Sequence, residues 1–277
     1  MDLICFNGNF LPSDQALFTA ENRSFKWGDG VFETIKVVNG HIILEQFHFE
    51  RLFLSLRMLK MEVADSIKLG NLAANIIELC KKNNCINLAR VRLAVFRVEG
   101  NMAWYVIQAF PLSSETNRLN EKGWVIGLYP YSRKNLDAFS NLKTANFLPY
   151  VLSELYAKEN GLDDALVLNA ASNICESSKA TVFLIRNEEV YTPALNQGCI
   201  NGVMRRHLIG ELKKTGVQIR QQEITEEDLL LADEVFLTNA IIGMRWVEQF
   251  KNRTYSKKIC QSLYGQFFST LYGGLQL

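Results

Sequence analysis

The chain has 277 residues, enough for two modest domains or one large one. A hydrophobic share of 48% supports a sizeable core, and a net charge of +1 with interspersed acids and bases gives no reason to propose nucleic acid as a partner. The six cysteines form no C-x-x-C pair and stand apart from His41, His48 and His207, which argues against a zinc site, and they are too sparse for a disulfide scaffold. No apolar run approaches the roughly 20 residues of a membrane span, and the N-terminus lacks the basic start and long apolar stretch of a signal peptide. The expectation is a reduced, soluble, cytoplasmic protein.

In chain order, residues 31–38 and 41–44 flank Asn39-Gly40, a hairpin signal because both turn positions need positive φ. Phe49, Leu52, Phe53, Leu56 and Leu59 recur at helical spacing, predicting a helix over 45–60, with Arg51 off its apolar face. A second helix is predicted over 67–83, then strands at 88–98 and 102–110 around Glu99-Gly100-Asn101. Residues 113–121 are polar and read as a linker between an N-terminal α/β domain (1–112) and a C-terminal domain (122–277).

The C-terminal domain is read as a strand at 124–129, a helix over 146–159 stopped by Asn160-Gly161, and strands at 165–169 and 181–186. A helix at 202–214, a strand at 217–221, a short helix at 225–231, a strand at 234–238 and a helix at 255–272 follow. Between two predicted strands, Asn173–Thr181 reads as a turn that holds a carboxylate among small residues. By composition alone it is a polar turn. No G-x-G-x-x-G or Walker A loop is present.

Six segments change that reading. They are Arg23-Ser24-Phe25-Lys26-Trp27-Gly28-Asp29-Gly30-Val31-Phe32-Glu33-Thr34, His48-Phe49-Glu50-Arg51-Leu52, Leu142-Lys143-Thr144, the Glu176 segment, Gly198–Arg205, and Phe236-Leu237-Thr238-Asn239-Ala240. In this order and at these separations the chain resembles the fold-type IV (class IV) aminotransferases that depend on pyridoxal 5'-phosphate (PLP). That family includes branched-chain and D-amino-acid aminotransferases and aminodeoxychorismate lyases. The resemblance runs from Arg23 to Val247. It implies an α+β, two-domain, D-amino-acid aminotransferase-like fold with PLP in the interdomain cleft, and a homodimer.

The resemblance also implies roles. Lys143 is the catalytic residue, holding PLP as a Schiff base and then acting as a base. Glu176 pairs with the pyridine nitrogen, and Arg51 binds the phosphate. Val203 and Met204, at a predicted helix start, offer backbone donors to that phosphate, and Asn239 and Ala240 close the cup. Branched-chain aminotransferases carry a tyrosine a few residues after the lysine, whereas Thr144–Leu148 holds none; Asn146 is a candidate partner for the PLP 3-hydroxyl. Lys179 either adds charge near the phosphate or points to water. No metal is expected.

The Gly28–Thr34 stretch is more like the lyases and D-amino-acid enzymes than the branched-chain ones, and Thr238–Met244 looks most like aminodeoxychorismate lyase, which implies a small-molecule amino substrate, 4-amino-4-deoxychorismate, converted to 4-aminobenzoate and pyruvate for folate synthesis. Thr34, Arg97 and Tyr105 are then candidate substrate contacts. Residues 97–105 lack the second arginine of many lyases. A transaminase of D-amino or branched-chain amino acids is the alternative, and a catalytically silent binding protein is a third.

Overall fold

The computed structural model describes residues 2–64 and 67–272. Residues 273–277 of the expected second domain lie outside the described residues. The chain forms two compact units, Met1–Glu115 with Leu142–Asn146, and Thr116–Asn141 with Phe147–Leu277.

The first unit runs β1 (Leu3–Phe6), β2 (Asn9–Pro12), α1 (Arg23–Trp27), β3 (Gly30–Val38), β4 (His41–Ile42), α2 (Glu45–Met58), α3 (Leu69–Lys82), β5 (Leu88–Arg97) and β6 (Ala103–Pro111). Among the described residues its strands form one antiparallel sheet, ordered β2-β1-β6-β5-β3-β4. The β3–β4 hairpin turns at Asn39 and Gly40, both at positive φ (49° and 77°), as the dipeptide predicts. Alternation along β3 and β5 sorts side chains between two faces. Val31, Ile35 and Val37 join Val91, Leu93 and Val95 in a core with Leu52, Leu56, Leu72 and Ile76 of α2 and α3. Phe32, Thr34 and Lys36 share the opposite face with their cross-strand partners Ala94, Arg92 and Arg90.

Arg51 departs from its expected place. It is buried on α2 beside His48, Phe49, Leu52, Ser55 and Leu56, on one continuous helix face. A buried ion pair broadens that face beyond the apolar residues that periodicity detects.

The second unit runs β7 (Trp124–Lys134), α4 (Leu148–Glu159), β8 (Asp164–Asn169), β9 (Ile174–Ser177), β10 (Thr181–Arg186), β11 (Glu189–Pro193), α5 (Val203–Lys214), β12 (Ile219–Gln222), α6 (Glu226–Leu231), β13 (Glu234–Asn239), β14 (Gly243–Phe250), β15 (Arg253–Thr254) and α7 (Lys258–Phe267). Among the described residues its sheet is mixed, ordered β12-β11-β10-β13-β14-β7-β8-β9, with β15 on β14. Pro149 enters α4 at its start, where a missing N–H costs nothing, and Gly161 follows its end at φ 66°. Thr225 and Asp228 form a capping box on α6.

Two expectations are corrected here. Ile174–Ser177 is a buried strand, not part of a turn, because it pairs with β8. The last helix ends at Phe267 rather than 272. Beyond it, the Ser269 and Thr270 hydroxyls donate to the carbonyls of Gly265 and Gln266, a local alternative to the helix ladder.

Candidate active site

In the first unit, Lys143 is held by its backbone. Its carbonyl accepts from the Phe32 amide at 3.0 Å, Ala145 donates to the Gly30 carbonyl at 2.8 Å, and Thr144 bridges to Val31. The half-buried Lys143 side chain places Nζ 4.4 Å from the Phe32 ring centroid. The Arg92 guanidinium lies 4.2 Å from the same centroid. Burial and the positive charge of Arg90 hold the Arg92 pKa below its ordinary value. Among the described residues neither Arg90 nor Arg92 is matched to a carboxylate. Half-buried Thr34 is the register partner of Arg92 on this face.

On the helix side of the same strand lies a buried polar triad. Arg51 donates to Glu33 through Nε (2.8 Å to Oε1) and Nη2 (2.5 Å to Oε2), and His48 Nδ1 lies 2.7 Å from Glu33 Oε2. Burial alone would raise the Glu33 pKa. The Arg51 charge and the His48 and Arg51 hydrogen bonds outweigh it and hold the carboxyl down at about 2. Burial pushes the His48 pKa down despite Glu33, so the ring is neutral at pH 7 with its proton on Nδ1. His48 Nε2 is buried with no hydrogen-bond partner among the described residues.

A pH dependence follows. The folded pKa of His48 lies below its unfolded value of about 6.5, so as pH falls below about 6.5 the unfolded chain binds a proton that the folded chain does not. Stability declines there, and His207, also lowered by burial, adds with the same sign. The Glu33 contribution is fully present above its unfolded pKa of about 4.5 and is lost as pH falls through about 2. Melting temperatures measured from pH 7 to 5 are expected to fall, and to fall less steeply in His48→Asn. Equal slopes in the two proteins would contradict the assignment.

Arg97 and Tyr105 sit elsewhere. Arg97 donates through Nε to Asp29 (3.0 Å) and through its terminal nitrogens to the carbonyls of Lys60 (3.1 Å) and Leu59 (2.6 Å), tying β5 to the end of α2. Tyr105 is buried in the helix-side core, where its hydroxyl accepts from Asn75 Nδ2 at 2.9 Å. Neither shares the Phe32–Thr34 face. Asn146 Nδ2 donates to the Gly28 carbonyl at 3.4 Å. Gly28 caps α1 at φ 65°, and a Cβ there would meet Asn146 Oδ1 at 2.5 Å, so both the conformation and the space call for glycine.

In the second unit, Glu176 is buried on β9. Its Oε1 accepts from Lys134 Nζ and from the Tyr150 hydroxyl, each at 2.6 Å, and the Ile200 amide donates to the same carboxylate at 3.1 and 3.2 Å. Tyr150 stacks on Phe147, and burial first, then the Glu176 charge, pushes its hydroxyl pKa well above the ordinary value. Sequence reasoning does not single out Lys134 or Tyr150. Each lies far from Glu176 along the chain, and only the sheet and α4 bring them there. Lys179 reaches the Asp163 carbonyl at 3.4 Å and lies 3.9 Å from Glu154, a surface arrangement.

Val203 and Met204 open α5, whose N-cap, Gly202, has no side-chain cap. A Cβ on Gly202 would meet Thr181 Oγ1 at 2.9 Å. Thr181 pairs in register with Thr238, whose buried hydroxyl has no hydrogen-bond partner among the described residues. A helix start with free amides, a close-packed glycine and an orphaned hydroxyl suit a phosphate. The Asn239 side chain is committed to its turn: Oδ1 accepts from Ile241 and Ile242, and Nδ2 donates to the Lys179 carbonyl.

Comparison with known proteins gives the setting. Residues 30–250 match the family described as amino-transferase class IV. The D-alanine aminotransferase of Listeria monocytogenes is 27% identical over 86% of this chain and 84% of its own length. The aminodeoxychorismate lyase of Bacillus subtilis is 27% identical over 87% and 84%. The fold matches that of the branched-chain aminotransferase from Thermoproteus uzoniensis, with a TM-score of 0.88 at 22% identity over 99% of this chain and 96% of that one. The chain therefore belongs to the class IV aminotransferase family, the PLP-dependent aminotransferases and lyases.

Proposed function

We propose that the protein is an aminodeoxychorismate lyase, releasing pyruvate from 4-amino-4-deoxychorismate and leaving 4-aminobenzoate, a step of folate synthesis in the cytoplasm. The observation that carries this reading is the arrangement around Phe32. An amine (Lys143) and a guanidinium (Arg92) both approach one ring, at 4.4 and 4.2 Å from its centroid. An α-amino acid carries its amine and carboxylate on one carbon. The lyase substrate carries them across a six-membered ring, which suits two receptors spaced about an aromatic ring.

PLP, when bound, supplies an electron sink for the substrate carbon next to nitrogen. In this reading Lys143 holds the cofactor, and its freed ε-amine takes the proton from that carbon. Glu176 keeps a proton on the pyridine nitrogen. Arg51, the Val203 and Met204 amides and the backbone of Asn239 and Ala240 hold the phosphate. Arg92 receives the ring carboxylate beside Thr34, the part that sequence reasoning gave to Arg97 and Tyr105. The reading also takes the chain as a homodimer, supported by the exposed apolar row Leu148, Val151, Leu152 and Leu155 on α4.

The test is a product assay. Given aminodeoxychorismate, the holoenzyme is expected to release pyruvate and 4-aminobenzoate in equal amounts. Glutamate formed from amino acids and 2-oxoglutarate, with no 4-aminobenzoate, would overturn the lyase reading in favour of a transaminase.

A further inference from the structure

Arg205, the last residue of the Gly198–Arg205 segment, takes no part in the chemistry assigned to Lys143 and Glu176. It is the third residue of α5, in a first turn that holds no acid. A cation there opposes the helix dipole, whose positive end lies at the N-terminus. The side chain is also buried, with 2% of the residue exposed. Its Nη2 donates to the Pro193 carbonyl at 2.8 Å and to Gln221 Oε1 at 2.9 Å, and its Nε has no hydrogen-bond partner among the described residues. Among those residues no carboxylate lies within ion-pair distance of it. Glu176 is close enough for its charge to be felt, but Glu176 is paired with Lys134 at 2.6 Å. Burial holds the Arg205 pKa below its ordinary value. Position in the helix, burial and the missing counter-charge all disfavour this arginine locally, and such violations concentrate where function needs them.

What lies beside it is the start of α5. The Arg205 Cβ is 3.4 Å from the place that a Cβ on Gly202 would take, so its stem runs along the N-cap. Thr181, which closes on Gly202 from the other side, pairs with Thr238 and its orphaned hydroxyl. We infer that the buried charge of Arg205 is answered by the phosphate of the cofactor, which makes Arg205 a positioning residue of the phosphate cup. This rests on the reading that the Val203 and Met204 amides receive that phosphate. Arg205 acts through its field, with Nη2 committed to β11 and β12, and it moves no proton. Its effect is therefore confined to ligands that carry the phosphate.

The probes are PLP and pyridoxal, which share the ring and the aldehyde and differ in the phosphate. Each is titrated into the full-length apoprotein, and binding is followed by the absorbance of the ring. Arg205→Gln keeps a donor and drops the charge. It is expected to lose about 10-fold in affinity for PLP while pyridoxal affinity stays within about 3-fold. Arg205→Met, a second charge-free variant, carries the same expectation. Arg205→Lys keeps the charge and is expected to hold both affinities within about 3-fold of wild type. A residue that only ties α5 to its neighbours would weaken both probes alike in Arg205→Gln. That result, an unchanged PLP affinity in the charge-free variants, or a PLP loss in Arg205→Lys as large as in Arg205→Gln would overturn the inference. Thr238→Val separates it from the reading beneath. A PLP-specific loss in Thr238→Val but not in Arg205→Gln removes Arg205 and leaves the phosphate at α5. No PLP-specific loss in either variant removes both.

Discussion

Lys143→Ala is expected to fold, to bind PLP without a covalent bond and without the yellow colour of wild type, and to lose on the order of 10³-fold or more in kcat. The size of the effect comes from chemistry, because in the proposed reading one amine both carries the cofactor and moves the proton. The expectation of a normal fold comes from the backbone. The segment is anchored by the Lys143 carbonyl, the Ala145 amide and the Thr144 bridge, none of which uses the lysine side chain. The truncation removes the contact with Phe32, worth about 0.5–1 kcal/mol at a partly exposed site. Absorbance of the purified protein, melting temperature and product release separate the two contributions. A melting temperature near wild type with activity gone supports the assignment. Activity within about 10-fold of wild type would sink it.

Glu33→Ala is the largest expected loss of stability. Its carboxylate serves both Arg51 and His48, and all three side chains are buried. Removing it leaves the Arg51 charge without its bidentate partner, a defect of about 3–5 kcal/mol. Replacing both partners, in Glu33→Ala/Arg51→Met, is expected to recover much of that loss, because no buried charge is then stranded. The double variant is also expected to hold PLP more weakly, since Arg51 is the proposed phosphate ligand. Urea denaturation of the apoproteins measures the first effect, and cofactor titration measures the second. A cost below about 1 kcal/mol for Glu33→Ala would mean that the triad carries little of the unit's stability.

Local signals were legible where one segment contains its own reason. Asn39-Gly40 specifies a hairpin by φ, and the 45–60 periodicity marks α2 because apolar burial drives it. Strands β1 and β2 escape notice because four residues leave no room for a pattern. Arg51 reads as an outward residue because its burial depends on Glu33, 18 residues away on another strand. Motif resemblance points to Lys143 and Glu176 as candidates but not to Lys134 or Tyr150, which meet Glu176 only through the fold. Arg90 and Arg92 look like the solvent side of an ordinary strand. Only the register with Lys36 and Thr34 shows that their charges accumulate on the face that carries Phe32.

The placement of the cofactor on Lys143 is tested most directly by borohydride reduction of the holoenzyme, followed by proteolysis and mass spectrometry. The expected result is a single phosphopyridoxyl adduct, on the peptide that contains Lys143, with loss of the yellow absorbance. An adduct on Lys134 or another lysine, or no adduct on a protein saturated with PLP, would contradict it.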